Sequence, residues 1–144
     1  MDSQNYSNHR QFVPLFHFVL APVLFLTIIG SIVNLVESLG DHERLYNAAL
    51  IVVLSIAGFL TLALARAFAL KAQDRAIRAE ENLRHFVMTG KLLDPRLTVR
   101  QIIALRFASD AEFVEIAKRA AESGTKPEEI KKSIKSWRAD TYRV

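Results

Sequence analysis

Residue types able to do chemistry are few and scattered in this chain. Four histidines stand at His9, His17, His42 and His85, and there is no cysteine. The absence of thiols excludes a cysteine nucleophile, a disulfide and a thiolate-ligated metal. None of the histidines has a second histidine or a carboxylate at the spacing of an HExxH helix, so no metal site is expected. The five glycines are dispersed, with no phosphate-cradling loop. No nucleophile motif and no catalytic carboxylate pair is visible. No catalytic residue and no cofactor is therefore expected, and the balance tips away from an enzyme. His17 lies within a long apolar stretch among Phe12, Phe16 and Phe18. An ionisable group at membrane depth is a functional candidate by default. At the shallow end of a span, a neutral role at the interface is preferred to proton transfer.

The other chemical feature is cationic. Lys131, Lys132, Lys135 and Arg138 fall on one face if the last segment is helical. A solvated face is the first reading and attraction to anionic lipid headgroups the second. Nucleic acid ranks last. Ala120, Gly124 and Ile130 have helix-turn-helix spacing, but Ser133 falls where that motif wants an apolar residue.

The elements that must carry these residues are set by hydropathy. Leu45 to Ala65 is a run of 21 residues without a charge, between Arg44 and Arg66. At ~1.5 Å per residue a helix of that length covers ~30 Å, the hydrocarbon thickness of a bilayer. Gln11 to Val36 is a second uncharged run, of 26 residues, bounded by Arg10 and Glu37. It is too long for a signal-peptide core, and no small-residue cleavage pattern follows it. Pro14 suits a first helical turn, whereas Pro22 removes a backbone bond to residue 18 and predicts a kink.

Charge sets the topology. The short segment 37–44 carries Glu37, Asp41 and Glu43, while Arg66, Lys71, Arg75, Arg78 and Arg84 crowd the far side of the second span. The positive-inside rule then places both termini in the cytoplasm and the acidic tip outside, with Arg66 snorkelling to the inner headgroups. The chain carries 51% hydrophobic and 24% charged residues with a net charge of +4. These populations are segregated, and from Lys71 onward basic residues outnumber acidic ones by five.

Helices pack in lipid through small and polar residues. The candidates are Thr27, Gly30, Ser31 and Asn34 on the first span and Asn47, Ser55 and Gly58 on the second. A hairpin with its tip near residue 40 predicts an Asn34–Asn47 hydrogen bond, the alternative being that both amides face headgroups. Nothing breaks helical propensity between Ala65 and Thr89, and Gly90 is the first C-cap candidate. One helix from about Leu45 to about Thr89 would be ~65 Å long. Ala65, Ala69, Ala72, Ala76, Ala79, Leu83 and Phe86 form a heptad seam that the neighbouring charges avoid. An Ala-rich helix can also match such a seam by chance. The partner expected for the seam is the first span and the C-terminal helices, or else a second copy of the chain.

Three capping signals follow. Thr98 with Gln101 opens a helix from Val99 to about Phe107; Ser109 with Glu112 opens Asp110–Ser123, closed by Gly124; Thr125 with Glu128 opens one to about Ala139. Their apolar stripes are expected to pack on Leu83, Phe86 and Val87 of the long helix, because three short helices make a marginal core alone.

The segments NHRQFVPLFHF at 8–18, KLLDPRLTVRQIIALRFASD at 91–110 and IKKSIKSWRAD at 130–140 resemble a family of small bacterial membrane proteins known only as a domain of unknown function. The resemblance implies two spans and a cytoplasmic helical tail; the expected location is the cell (inner) membrane, with several passes and both termini cytoplasmic. It brings no activity, cofactor or site residue.

The chain thus reads as an all-α integral membrane protein. Its expected parts are a cytoplasmic segment 1–11, a first span 12–36, an external loop 37–44, a second span 45–70, its cytoplasmic extension 71–89 and a three-helix tail 90–144. The first expectation for function is a non-enzymatic, membrane-anchored interaction or scaffold protein. Its tail would present Arg96, Arg100, Arg106 and the basic last helix to a protein partner or to headgroups. A small transport or membrane-assembly subunit using His17, Asn34 and Asn47 is the second, and a tethered nucleic-acid binder the third. Expected partners are the lipid bilayer and a second copy or another membrane protein.

Overall fold

The computed structural model describes residues 4–140. Among the described residues the regular elements are all helices, with no strand: a π-helical turn Leu15–Leu20, then α1 Ala21–Glu37, α2 His42–Thr89, α3 Val99–Leu105, α4 Asp110–Ser123 and α5 Pro127–Ser133. The chain forms two compact units. One is Phe12–Ala69; the other joins Met1–Gln11 to Leu70–Val144.

In the first unit, Pro22 has no N–H to give to the carbonyl of residue 18. The helix changes register locally at this point. The Ala21 amide bonds the carbonyl of Phe16, five residues back, so the helix widens just before the proline. A π-turn is a recognised way of absorbing such a defect. The turn between α1 and α2 is short. Gly40 adopts φ +104°, a left-handed conformation that a side chain would strain. Asp41 then caps α2, its Oδ1 accepting the Arg44 amide at 3.2 Å.

Leu15–Glu37 and His42–Thr89 are each long and apolar enough to cross a membrane. Their apolar side chains point outward: Leu26 is 64% exposed and Leu54 69%. The inner faces are narrow, with Ser31 on α1 and Ala48 and Ser55 on α2 buried. Ser31 and Ser55 share a hydrogen bond of 3.1 Å between their Oγ atoms. This serine pair is the side-chain hydrogen bond between the two helices among the described residues. The predicted Asn34–Asn47 bond is not made, and both amides are exposed. The contacting face of α1 is turned from the predicted one: Leu24, Ile28, Ser31 and Leu35 face inward, while Thr27 and Gly30 face outward. Thr27 spends its hydroxyl on the Val23 carbonyl at 2.8 Å.

The second unit has an ordinary apolar core of Leu93, Leu97, Ile102, Leu105, Phe107, Phe113, Ile116, Ile130 and Ile134, with small alanines between. α2 ends where Gly90 takes φ +73° and its amide bonds the Phe86 carbonyl at 2.8 Å. The Thr98–Gln101 capping box forms as expected. Helix α4 has the predicted bounds and closes on left-handed Gly124.

Three local expectations are corrected. Ser109 makes no side-chain cap; Glu112 instead accepts the amides of Lys135 at 3.2 Å and Ser136 at 2.8 Å. The cap of α5 is Lys126, one residue later than Thr125, and Glu129 accepts its amide at 3.3 Å. α5 stops at Ser133 rather than near Ala139. Ile134 is extended, and the chain beyond it lies against residues 107–109, with Ser109 N–H donating to Ser136 O at 3.0 Å and Arg138 N–H to Phe107 O at 2.8 Å. These tertiary acceptors replace the helical carbonyls that would have prolonged α5.

Candidate functional site

The face by which α2 meets the helical tail is not the predicted one. Leu83, Phe86 and Val87 are 63%, 50% and 76% exposed. Ile77 and Glu81 are buried instead, and Arg84 and His85 are half-buried. The alanines Ala72, Ala76 and Ala79 are exposed as well, and in the other unit so are Ala65 and Ala69. The expectation that the tail covers the seam is therefore overturned. The tail prefers the other face because Arg84 has more to bond there. Its Nε and Nη2 donate to Asp110 at 2.8 and 2.6 Å, Nη2 also to the Ala108 carbonyl at 2.8 Å, and Nη1 to Glu81 at 3.0 Å. Its guanidinium lies 4.1 Å from the Phe113 ring centroid. Glu81, buried, also meets Arg138 at 3.6 Å. A planar, always-charged guanidinium suits such a multiply bonded, stacked position better than lysine would. Sequence reasoning missed this joint because it treated every charge on α2 as solvated. The signal was present in Ile77, Glu81 and Arg84, which share a face with an acid three residues before its base.

A second cluster ties the amino-terminal segment to the tail. The His9 ring lies 5.8 Å from both Phe107 and Trp137, and 5.6 Å from Tyr6, between ring centroids. Its Nδ1 is 2.6 Å from the Tyr6 carbonyl and its Nε2 3.3 Å from Lys131 Nζ. The tautomer with hydrogen on Nδ1 serves both, donating to the carbonyl and accepting from the ammonium. The Tyr6 hydroxyl donates to Glu128 at 3.1 Å, and Lys131 pairs with the same carboxylate at 3.2 Å. Lys131, and after it the tyrosine hydroxyl, hold the Glu128 carboxyl below the ordinary glutamate range. A cleft of about 470 Å³ lies beside Tyr6, His9, Arg10, Glu128 and Lys131.

The predicted basic face is dispersed by these contacts. Lys131 belongs to the cluster just described, and Lys132 lies 5.5 Å from the Tyr6 ring. Lys135 and Arg138 stand beyond the end of α5, with Arg138 turned to Glu81. Arg106, expected to be presented, is buried; it pairs with Asp140 at 2.9 Å and lies 4.6 Å from the Phe107 ring. Arg96 is exposed but forked onto Asp94 at 3.0 and 2.7 Å. That hydrogen-bonded guanidinium lowers the Asp94 carboxyl to about 2, and Asp94 raises the Arg96 pKa in return. Arg100 is exposed. The seven residues of α5 open with Pro127, Glu128 and Glu129.

In the apolar unit, His17 is half-buried beside Phe12 and Phe16, at 5.4 and 5.0 Å between centroids. The Val13 amide lies 3.1 Å from its Nδ1. Arg66 is half-buried, 4.9 Å from the Phe16 ring centroid. Gly58 admits Leu24, whose Cδ2 would lie 3.7 Å from an added Cβ, while Gly30 faces open space. Among the described residues, no group of three or more His, Asp or Glu side chains is placed to hold a metal ion.

Fold and clusters together define an all-α protein with two long apolar helices and a compact helical tail in which Asp94–Arg96, Arg106–Asp140 and Glu128–Lys131 form ion pairs. The chain belongs to DUF6526, a family of unknown function, which it matches over residues 1–144. No curated protein and no solved structure matches it.

Proposed function

We propose that this chain is a non-enzymatic, membrane-anchored interaction protein. In this reading Leu15–Glu37 and the first half of α2 form a two-span hairpin, and the tail is held at the cytoplasmic surface. The observation that carries it is the outward placement of apolar side chains. Only 6% and 11% of the most apolar windows of the two helices is buried. A core helix of a water-soluble protein would bury most of such a window. An exposed apolar surface of this extent requires lipid or another apolar partner. The excess of Lys and Arg from Arg66 onward supports a cytoplasmic tail.

The cysteine-free sequence makes the test direct. Single cysteines at Leu39 in the turn and Glu122 in the tail are exposed to a membrane-impermeant maleimide on intact cells, alongside alkaline carbonate extraction of membranes. The expected result is retention in the membrane, labelling of Leu39→Cys, and labelling of Glu122→Cys only after permeabilisation. Release by carbonate overturns the anchoring, and the opposite labelling pattern overturns the orientation.

A further inference from the structure

The exposed large side chains Leu83, Phe86 and Val87 form an apolar patch within the tail-bearing unit. At ~100° per residue Phe86 and Leu83 lie on the far side of α2 from Ile77, Glu81 and Arg84, with Val87 at the edge between the two faces. The tail has therefore used one face of the helix and left the other open. In the other direction along the helix the patch continues as Ala79, Ala76 and Ala72, also exposed. From Ala72 to Phe86 the steps are four, three, four and three, the heptad pattern of a two-stranded coil, with Ala76 and Leu83 at a and Ala72, Ala79 and Phe86 at d.

The flanking charges select the occupant. Arg75 falls at g and Glu80 at the following e. Arg75 has Lys71, Ala72, Arg78 and Ala79 three and four residues away, so its own helix offers it no carboxylate. Glu80 has one basic neighbour at that spacing, Arg84, which is committed to Glu81 and Asp110. Neither Arg75 nor Glu80 takes part in an ion pair among the described residues, and both are exposed. In a parallel, in-register pair of helices, g of one faces the next e of the other. Arg75 of each copy would then meet Glu80 of the second copy, twice by symmetry. An antiparallel pair sets g against g and e against e, which matches Arg75 with Phe68, Arg75 or Asn82 and gives no opposite charge.

We infer that Ala72, Ala76, Ala79, Leu83 and Phe86 form the seam of a parallel homodimer, fixed in register by Arg75–Glu80 pairs between copies. The inference deepens the membrane-anchored reading and rests on it for orientation, because copies in one bilayer emerge in the same direction. The alanines allow close backbone approach, and Leu83 and Phe86 supply apolar area at the end nearest the tail.

The test uses the full chain in native membranes, with single cysteines at Ala76 or Ala79 and Arg78→Cys as the off-seam control. Mild oxidation is expected to give disulfide dimers at Ala76 and Ala79 but not at Arg78. In the Ala79→Cys background, Arg75→Glu or Glu80→Arg alone is expected to reduce the dimer roughly tenfold, since two attractive pairs become two repulsive ones, and the double reversal to restore it. Equal crosslinking at Arg78, no crosslinking at Ala76 and Ala79, or no restoration by the double reversal overturns the inference. Carbonate extraction of the same membranes separates the two claims. Retention without crosslinking rejects the dimer and leaves the anchor; release rejects the anchor whatever the crosslinks show.

Discussion

The two units of this protein handle the same apolar residue types in opposite ways. In Phe12–Ala69 most leucines and isoleucines face outward, and the narrow inner face sets Ser31, Ala48, Ser55 and Gly58 beside Leu24, Ile28 and Leu35. In the tail-bearing unit Leu105, Phe107, Phe113 and Ile130 are wholly enclosed, and charges occupy the outside. Burial of apolar area stabilises a fold only where water is the alternative. In lipid that drive vanishes, and small side chains with occasional hydrogen bonds decide the contact. Helix α2 shows both arrangements: its apolar half presents bulk outward, while its charged half buries Ile77 with Glu81 and Arg84.

That contrast can be broken by substitution. The largest effect is expected for Phe113→Ala in the tail, a fully buried ring whose loss should cost about 3–5 kcal/mol, read as unfolding of the purified protein in detergent. The matched change Leu26→Ala, on an outward side chain, should alter unfolding little; comparable losses at both positions would erase the contrast. Arg84→Ala should cost about 3 kcal/mol, since Glu81 stays buried with Arg138 as its remaining partner. Hydrogen exchange should then rise at residues 105–113 while the amides of α1 keep their protection. Ser31→Ala should weaken the contact between α1 and α2 by only about 0.6 kcal/mol, measured by the same unfolding assay.

The smallest effect concerns Asp94, whose carboxyl titrates near 2 beside Arg96 instead of at 3.8. A carboxyl lowered in the folded state adds stability that is present above its unfolded value and fades as pH falls from about 3.8 towards 2. Carbon-detected NMR should place the Asp94 midpoint near 2 and return it close to 3.8 in Arg96→Ala. An unmoved midpoint would show that Arg96 is not the cause.

Much of the element order was legible before any tertiary contact was known. The two apolar helices, the continuation of α2 to Thr89, the stop at Gly90, the Thr98–Gln101 box, the bounds of α4 and the apolar stripes of the tail all follow from local rules. The family assignment was equally legible in the segments at 8–18, 91–110 and 130–140. What failed were statements about which group meets which. Ser109 and Glu112 have the spacing of a capping box, yet Glu112 is drawn to the amides of Lys135 and Ser136. The basic residues 131–138 look like one helical face until α5 ends at Ser133. A hairpin with its tip near residue 40 brings Asn34 and Asn47 to one depth, but the helix rotation that pairs Ser31 with Ser55 leaves both amides exposed.

By itself, then, the sequence determined where the helices run and, except for α5, where they stop, because hydropathy, propensity and caps act within a few residues. Tertiary structure alone decided which face of α2 is used. A charged face counts as solvated until Asp110, Phe113 and the Ala108 carbonyl are brought within reach of Arg84, which depends on residues 24–29 positions away along the chain. Once that face is occupied, the alanine and Leu83–Phe86 face is the one left open.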